Sequence, residues 1–122
     1  MNFWIRLGAI SGFLAVLIGA MGAHALEPLM DNEGLSQFKT ASLYHLTHSF
    51  ALIAIGLLWP HIENHKKLKL SGYSFLVGIL LFSGNLYILA ILGTNPLHLL
   101  IPLGGLCLLL GWLSLAFASF KK

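Results

Sequence analysis

The chain has 122 residues, of which 57% are hydrophobic and 9% are charged, and its formal net charge at pH 7 is +3. Soluble domains carry about 25% charged residues to cover their surface, so this composition excludes an ordinary soluble domain and favours the bilayer as the solvent. A single cysteine excludes an intramolecular disulfide and a cysteine-based metal cluster. The cations lie at the ends of apolar segments, which is the pattern of membrane topology, so no nucleic-acid partner is expected.

Four apolar segments follow one another along the chain, each close to the ~20 residues that cross the hydrocarbon core of a bilayer. They cover approximately residues 3–25, 40–59, 70–92 and 97–120. Because proline is tolerated in the first turn of a helix, Pro102 predicts that the regular helix of the fourth segment begins near Ile101. The sequence therefore predicts an all-α fold, with a single four-helix transmembrane domain over residues 1–122.

The first segment has a second interpretation as a secretory signal peptide. Arg6 precedes its apolar run, and the sequence Ala23-His24-Ala25 resembles a cleavage site. The run is long and rich in glycine, which argues against cleavage. We expect this segment to remain as the first helix.

The distribution of lysine and arginine predicts the orientation of the helices. With four spans, both termini and the middle connection lie on one side, and that side holds Arg6, Lys66, Lys67, Lys69, Lys121 and Lys122. The opposite side holds only Lys39. Positive charge is retained in the cytoplasm, so both termini are expected there, in a multi-pass protein of the cell (inner or plasma) membrane.

Polar residues from different segments fall into one layer in the outer half of the membrane. A helix rises about 1.5 Å per residue, which places His45 roughly 7 Å and His48 roughly 12 Å inside the outer boundary. The third segment brings its own polar residues to this half, and the first segment ends there. The candidate ligand-binding residues of the layer are His24, Tyr44, His45, His48, Ser83, Asn85 and Tyr87.

The layer has two interpretations. An ionisable side chain in a span faces the bundle interior or a cavity and marks a functional site by default, and His45 and His48 project from the same face of one helix. Alternatively, the polar groups hydrogen-bond to one another across helices and hold the bundle together. Asn85 is expected to pair with His45 or Tyr44, because an unsatisfied amide in hydrocarbon is costly.

A metal site is a more specific version of the ligand-binding hypothesis. His45 and His48 would supply two imidazoles and His24 or Glu27 a third ligand, whereas haem would need only one or two axial side chains. The spacing is common by chance in a chain with six histidines, so no firm metal site and no specific cofactor is predicted. The spans hold no carboxylate pair and no phosphate-binding loop, so no catalytic residue is predicted and an enzyme is disfavoured.

Two stripes of small residues predict close helix packing, because small side chains let backbones approach each other in lipid. The stripes comprise Gly8, Gly12, Ala15 and Gly19 in the first segment and Gly104, Cys107, Gly111 and Ser114 in the fourth. Their spacing leaves open whether they pack within one chain or between copies. A homo-oligomer through these glycine faces therefore stays open, and any protein partner is unknown.

Four motifs in order, GAMGAHAL, YHLTHSFAL, GILLFSGNLYIL and IPLGGLCLLLGW, resemble the small membrane proteins grouped as domain of unknown function 423, which are related to the transmembrane protein 256 family. The resemblance covers nearly the whole chain and implies a bacterial-type inner-membrane protein of four helices without an assigned activity. The family pattern maps onto Gly19, Gly22, Ala23, His24, Tyr44, His45, His48, Ser83, Gly84, Tyr87, Pro102, Gly104, Gly105, Gly111 and Trp112. Met21, Asn85 and Ile101 stand where the family usually has phenylalanine, serine and threonine.

The sequence thus favours a non-enzymatic membrane protein whose outer polar and glycine-rich layer holds a small ligand, either a lipid or a quinone. The alternatives are a histidine-based haem or metal-binding redox protein and a purely structural or interaction subunit. A transporter is less favoured, since four spans enclose little cavity. Membrane lipid is the partner that the sequence predicts.

Overall fold

Five α-helices form most of the computed structural model, which describes residues 2–122. They are α1 (Asn2–Met21), α2 (Asn32–Leu58), α3 (His65–Gly78), α4 (Asn85–Leu92) and α5 (Leu100–Ala116). A π-helical turn over Gly22–Leu26 and short 3-10 turns over Glu27–Leu29 and Trp59–His61 extend α1 and α2, while a second π turn over Ile79–Gly84 joins α3 to α4. The prediction of an all-α fold is confirmed. In the described residues, the β-type pairing consists of one isolated bridge between Ile62 and Phe120.

Three continuous helical segments are long and apolar enough to cross a membrane, namely Asn2–Leu29, Asn32–His61 and His65–Leu92. The last of these, which comprises α3, the π turn and α4, is called the third segment below. Helix α5 is apolar but has only 17 residues, so it is roughly 26 Å long. It begins close to the predicted start near Ile101 and stops at Ala116, short of the predicted limit at residue 120.

Side chains and one glycine fix where the helices begin and end. Asp31 Oδ1 accepts a hydrogen bond from the Gly34 N–H at 2.7 Å, and Asn64 Oδ1 accepts one from the Lys66 N–H at 3.0 Å. Each satisfies a backbone donor that the first turn leaves without a partner. As a result, α2 starts eight residues before its apolar segment. Gly93 ends α4 with φ at 72°, in the left-handed region that glycine enters without strain.

Helix α2 lies at the centre of the bundle. Helix α1 packs along one side of it and the third segment along another, while α5 packs on the third segment. One apolar core lies towards the end of the bundle where α2 joins α3, with Leu52, Ile55 and Phe75 fully buried; a smaller core at the opposite end surrounds Phe38 and Tyr87. At the first of these ends, the Trp4 ring covers Gly72 and ties the start of α1 to α3.

Both stripes of small residues pack inside the chain. A Cβ atom at Gly8 would lie 2.7 Å from the Ser49 carbonyl oxygen of α2, and one at Gly104 would lie 2.5 Å from the Phe82 nitrogen in the π turn. In lipid, such close backbone contact is a main source of helix association. The remaining stripe residues include buried Ala15, Gly111 and Ser114 and half-buried Gly12, Gly19 and Cys107. These faces are therefore covered by neighbouring helices of the same chain.

Candidate functional site

His45 lies in the interior of the bundle and contacts α4. Its Nδ1 atom is 3.0 Å from the Tyr87 hydroxyl oxygen, and the two rings meet edge-on with centroids 5.8 Å apart. The His45 ring also lies near the Ser11 backbone of α1. The imidazole is therefore placed by contacts with two neighbouring elements, as expected for a polar side chain in a membrane bundle.

Three serine hydroxyls tie the other elements to α2. Ser49 Oγ donates to the His45 carbonyl oxygen at 2.8 Å. Since this uses the one hydroxyl proton of Ser49, Ser11 Oγ must be the donor in the 2.7 Å contact between the two serines. Ser83 Oγ of the π turn donates to the Ala41 carbonyl oxygen at 2.9 Å. Their hydrogen bonds thus go to backbone oxygens and to one another, so these contacts do not assemble a serine nucleophile with an imidazole base.

Both nitrogens of His48 are engaged. The Trp112 Nε1–H of α5 can only donate, and it lies 3.0 Å from His48 Nε2, so that nitrogen carries the lone pair. The proton of the neutral ring is therefore on Nδ1, which donates to the Tyr44 carbonyl oxygen at 2.6 Å. The ring also stacks on Tyr44, with an interplanar angle of 14°. In this arrangement, His48 has no lone pair left for a metal or a haem iron.

We expect His48→Leu to lower the stability of the bundle by about 1–3 kcal/mol, because it leaves the Trp112 N–H without an acceptor in hydrocarbon. The measurement is the thermal midpoint in a mild detergent, followed by circular dichroism. The double variant His48→Leu/Trp112→Phe removes donor and acceptor together and should recover part of the loss. Equal midpoints for His48→Leu and the unchanged protein would show that the hydrogen bond between Trp112 and His48 does not stabilise the bundle.

The expected pairing of Asn85 with His45 or Tyr44 is not formed. Its Nδ2 atom donates to the Leu81 carbonyl oxygen of the π turn at 2.8 Å, and its Oδ1 atom accepts from Asn95 Nδ2 at 3.0 Å. A π turn interrupts the regular ladder of i→i+4 hydrogen bonds, so the side-chain amide finds an acceptor within its own segment.

Asn95 is a member of this network that the sequence analysis missed. It lies in the connection between α4 and α5, yet it is only 4% exposed. Its amide also donates to the Asn85 carbonyl oxygen at 3.1 Å, and its Oδ1 atom accepts from the Leu97 N–H at 2.9 Å. The connection therefore folds back along the whole of α4 and reaches Asn85, the first residue of that helix. Trp112 was named in the family pattern but not among the candidate residues of the polar layer, although an indole N–H in hydrocarbon needs an acceptor.

Of the remaining candidates, Tyr44 stacks on His48, whereas His24 lies apart from both. His24 is exposed in the π turn that extends α1, and Tyr44 is 41% exposed on the outside of α2. Within residues 2–122, no group of three or more His, Cys, Asp or Glu side chains is placed to hold a metal ion. The described polar layer is thus a set of separate interhelical contacts rather than one converging set of ligands.

A groove lies between α1 and the third segment, with α2 as its floor, and is called the first groove below. Its volume is about 290 Å³, and almost all of the surface that lines it is apolar. His45, Ser83 and Tyr87 line it together with Leu and Ile side chains. Ile10, Leu14 and Leu80 form its rim and are 60%, 42% and 63% exposed, so the groove opens to the side of the bundle.

A second groove lies between α2 and α5, on another side of α2. Its volume is about 510 Å³, and Tyr44, His48, Phe82, Gly105 and Trp112 contribute to its lining. His45 and His48 therefore line different grooves, although they are only three residues apart. The structure divides the predicted layer between two lateral grooves, because each histidine is held by a partner on a different helix.

Comparison with known proteins identifies the family. The family model described as protein of unknown function (DUF423) matches residues 18–105. The chain belongs to the DUF423 family. The predicted resemblance is thereby confirmed.

Relatives of this DUF423 protein match it almost end to end. A UPF0382 membrane protein of Haemophilus influenzae is 41% identical over 99% of this chain and 96% of its own length. The UPF0382 membrane protein YwdK of Bacillus subtilis is 35% identical over 99% and 98% of the two chains. UPF0382 membrane protein SSP2132 of Staphylococcus saprophyticus is 36% identical over 99% of both. No solved structure matches the chain. The names and the three long apolar helices together support a membrane location for this DUF423 protein.

Proposed function

We propose that this membrane protein is not an enzyme and that it binds one long hydrocarbon chain, acyl or isoprenoid, in the first groove. The observation that carries the proposal is the groove itself, which has an apolar lining and opens sideways at the rim formed by Ile10, Leu14 and Leu80. A groove in this position faces the hydrocarbon of the bilayer and not water. Its natural occupant is therefore a molecule already dissolved in the membrane.

The dimensions support a chain rather than a compact molecule. The α1 wall runs from Leu7 to Ile18, which is roughly 16 Å along a helix. The volume of about 290 Å³ lies at the lower end of the ~300–1,000 Å³ typical of ligand sites. A single acyl or isoprenoid chain fits a long, narrow space of this kind. A phospholipid and a quinone share this chemistry, and the test below separates them.

The hydrogen bonds of the polar residues in and around the first groove support a structural role for most of the layer. The hydroxyls of Ser11, Ser49 and Ser83 and the Nδ1 atom of His45 are engaged within the chain. We therefore assign these contacts to interhelical stabilisation. The hydrocarbon chain would instead contact the apolar side chains that form the walls of the first groove. The haem and metal alternatives are not adopted, because His48 has no lone pair left and His24 lies apart.

The proposal includes the topology derived from charge. Four spans with both termini and the α2–α3 connection in the cytoplasm would place six cationic side chains on that side and one on the other. Helix α5 would span with the help of the residues that flank it, since it is roughly 26 Å long against a core of about 30 Å. A homo-oligomer through the glycine faces is not included, because α2 and the third segment cover those faces.

Native mass spectrometry of the protein released from mild detergent tests the binding. We expect a bound mass that matches one phospholipid or one quinone and that disappears in Gly84→Phe. Gly84 lines the first groove in a helical backbone conformation, and the atom nearest to its Cβ position outside adjacent residues is the Ile79 oxygen of the same π turn, at 4.0 Å. A Cβ atom therefore fits at this position, and we expect the ring beyond it to enter the groove and compete with the hydrocarbon chain.

Gly105→Phe is the matched control, because Gly105 lines the second groove and its Cβ position is 3.8 Å from the Phe82 ring. This variant should keep the bound mass. Loss of the mass in Gly105→Phe but not in Gly84→Phe would move the site to the second groove. A protein without any bound mass, in detergent that preserves its fold, would contradict the proposal.

A further inference from the structure

The C-terminal tail, residues 117–122, is hydrogen-bonded to the connection between α2 and α3. Phe120 pairs with Ile62 in an antiparallel bridge. The Glu63 N–H donates to the Ser119 oxygen at 2.9 Å, and the Lys121 N–H donates to the His61 oxygen at 2.8 Å. Ile62 is fully buried, so the pairing is anchored in the core of the bundle. The tail therefore has a defined position at this end of the molecule.

This pairing gathers cations that are far apart in sequence. It places Lys121 beside His61, a few residues before Lys66 and Lys67 at the start of α3. The Lys67 ammonium donates to the Phe117 carbonyl oxygen at 2.9 Å and lies 5.8 Å from the centre of the Phe117 ring. Trp4 packs on Gly72 and brings the start of α1, which carries Arg6, to the same end. This end holds six cationic side chains and one acidic side chain, Glu63.

Apolar side chains adjoin the cations. Phe117 and Phe120 of the tail are 62% and 61% exposed. Phenylalanine rings are apolar, so in a membrane protein these two exposed rings would contact the acyl chains of the lipid in preference to water. A molecule with both an anionic head and acyl chains would contact both features at once, whereas a soluble anion would contact only the lysines.

We propose that the tail and the α2–α3 connection form a binding site for the phosphate headgroup of an anionic phospholipid. We call it the tail site; it comprises Lys66, Lys67, Lys121 and Lys122 with Phe117 and Phe120. The inference is independent of the chain ligand proposed above, because Gly84 and the first groove do not contribute to it. The role of the tail is to bring two additional cations to the headgroup, at the level where helices leave the hydrocarbon.

The test is a titration of the purified full-length protein in mild detergent with phosphatidylglycerol or phosphatidylcholine of identical acyl chains, read by native mass spectrometry. Each cation near a lipid surface contributes about fivefold in affinity. We expect the preference for phosphatidylglycerol to exceed about 25-fold, and Lys121→Gln/Lys122→Gln to lower the affinity for that lipid by roughly 25-fold, about fivefold for each cation removed. Equal binding of the two lipids by the unchanged protein would overturn the proposal.

Four further measurements test the assignment. Lys39→Gln, which removes a cation at the opposite end, should leave the preference unchanged, and so should Gly84→Phe. Two glycines inserted between Ala118 and Ser119 keep every charge but disrupt the pairing, so the preference should fall; an unchanged preference would overturn the role of the tail. Inorganic phosphate should displace phosphatidylglycerol only at far higher concentration, and displacement at equal concentration would overturn the assignment to lipid.

Discussion

Gly104→Ala is expected to destabilise the bundle by about 3 kcal/mol, at the upper end of the usual range for overpacking. A Cβ atom at this position would lie 2.5 Å from the Phe82 nitrogen and 2.8 Å from the Leu81 carbonyl carbon. Both are backbone atoms of the π turn, so no side-chain rotation relieves the clash. Helix α5 would have to move away from the third segment and lose the close contact that holds it there. The midpoint of unfolding in detergent, followed by circular dichroism, measures the loss.

The neighbouring glycine provides the control. At Gly105 a Cβ atom would lie 3.8 Å from the Phe82 ring, which is ordinary contact. Because alanine has a higher helix propensity than glycine, Gly105→Ala should leave stability unchanged or raise it by up to about 1 kcal/mol. The two variants differ by one position in the same helix and carry the same chemical change. Similar midpoints for both would contradict the close packing of α5 on the π turn.

Asn85→Leu is expected to cost about 2–4 kcal/mol, because it removes one partner from two buried polar groups at once. The Asn95 amide loses the Asn85 Oδ1 atom, and the Leu81 carbonyl oxygen loses its side-chain donor. The connection between α4 and α5 should then be held less tightly, since the bond from the Asn95 amide to the carbonyl oxygen of residue 85 is retained but the bond to the side chain is lost. We expect a lower thermal midpoint together with faster amide hydrogen exchange at residues 93–99.

Thr47→Leu is the comparison for this change, since Thr47 is exposed on α2 and a leucine there faces lipid. It should have little effect on the midpoint. In a double-mutant cycle, Asn95→Ala and Asn85→Leu should be non-additive by about 1 kcal/mol, because they remove the same contact. An unchanged midpoint in Asn85→Leu, or full additivity with Asn95→Ala, would show that the two amides do not stabilise each other.

Much of the fold follows from periodicity, composition and the resemblance to a known family. The apolar lengths predicted the helical segments, and Pro102 indicated the start of α5 to within two residues. The limits of α2 differed because Asp31 caps a polar extension that precedes the apolar run, and hydrophobic length does not register such an extension. The π turn at Ile79–Gly84 was not foreseen. Gly104 of α5 packs against the backbone of this turn, and that contact joins residues distant in sequence; the Asn85 amide bonds to Leu81 within the turn, but a lone asparagine does not predict a π turn.

The candidate site was predicted in part. Spacing placed His45 and His48 on one helix at similar depth, and depth matching brought Tyr87 and Ser83 to the same level. Spacing alone does not specify which helix each imidazole meets, because residues three apart on a helix differ by about 60° in direction. That rotation is enough to place His45 against Tyr87 and His48 against Trp112. Asn95 was missed because the buried position of a loop residue depends on how the connection folds back.

By itself, the sequence determined that the chain is an all-α membrane protein of the DUF423 family with its cations concentrated at segment ends. The physical reason is that the free energy of moving a side chain from water into the bilayer depends on its type, and the order of apolar and charged residues along the chain is read directly from the sequence. Only the tertiary structure decided which faces meet. The glycine stripes pack within the chain, the polar layer separates into individually satisfied contacts, and His45 and His48 line different grooves. The physical reason is that close packing and hydrogen bonding in lipid act over a few ångströms between residues distant in sequence.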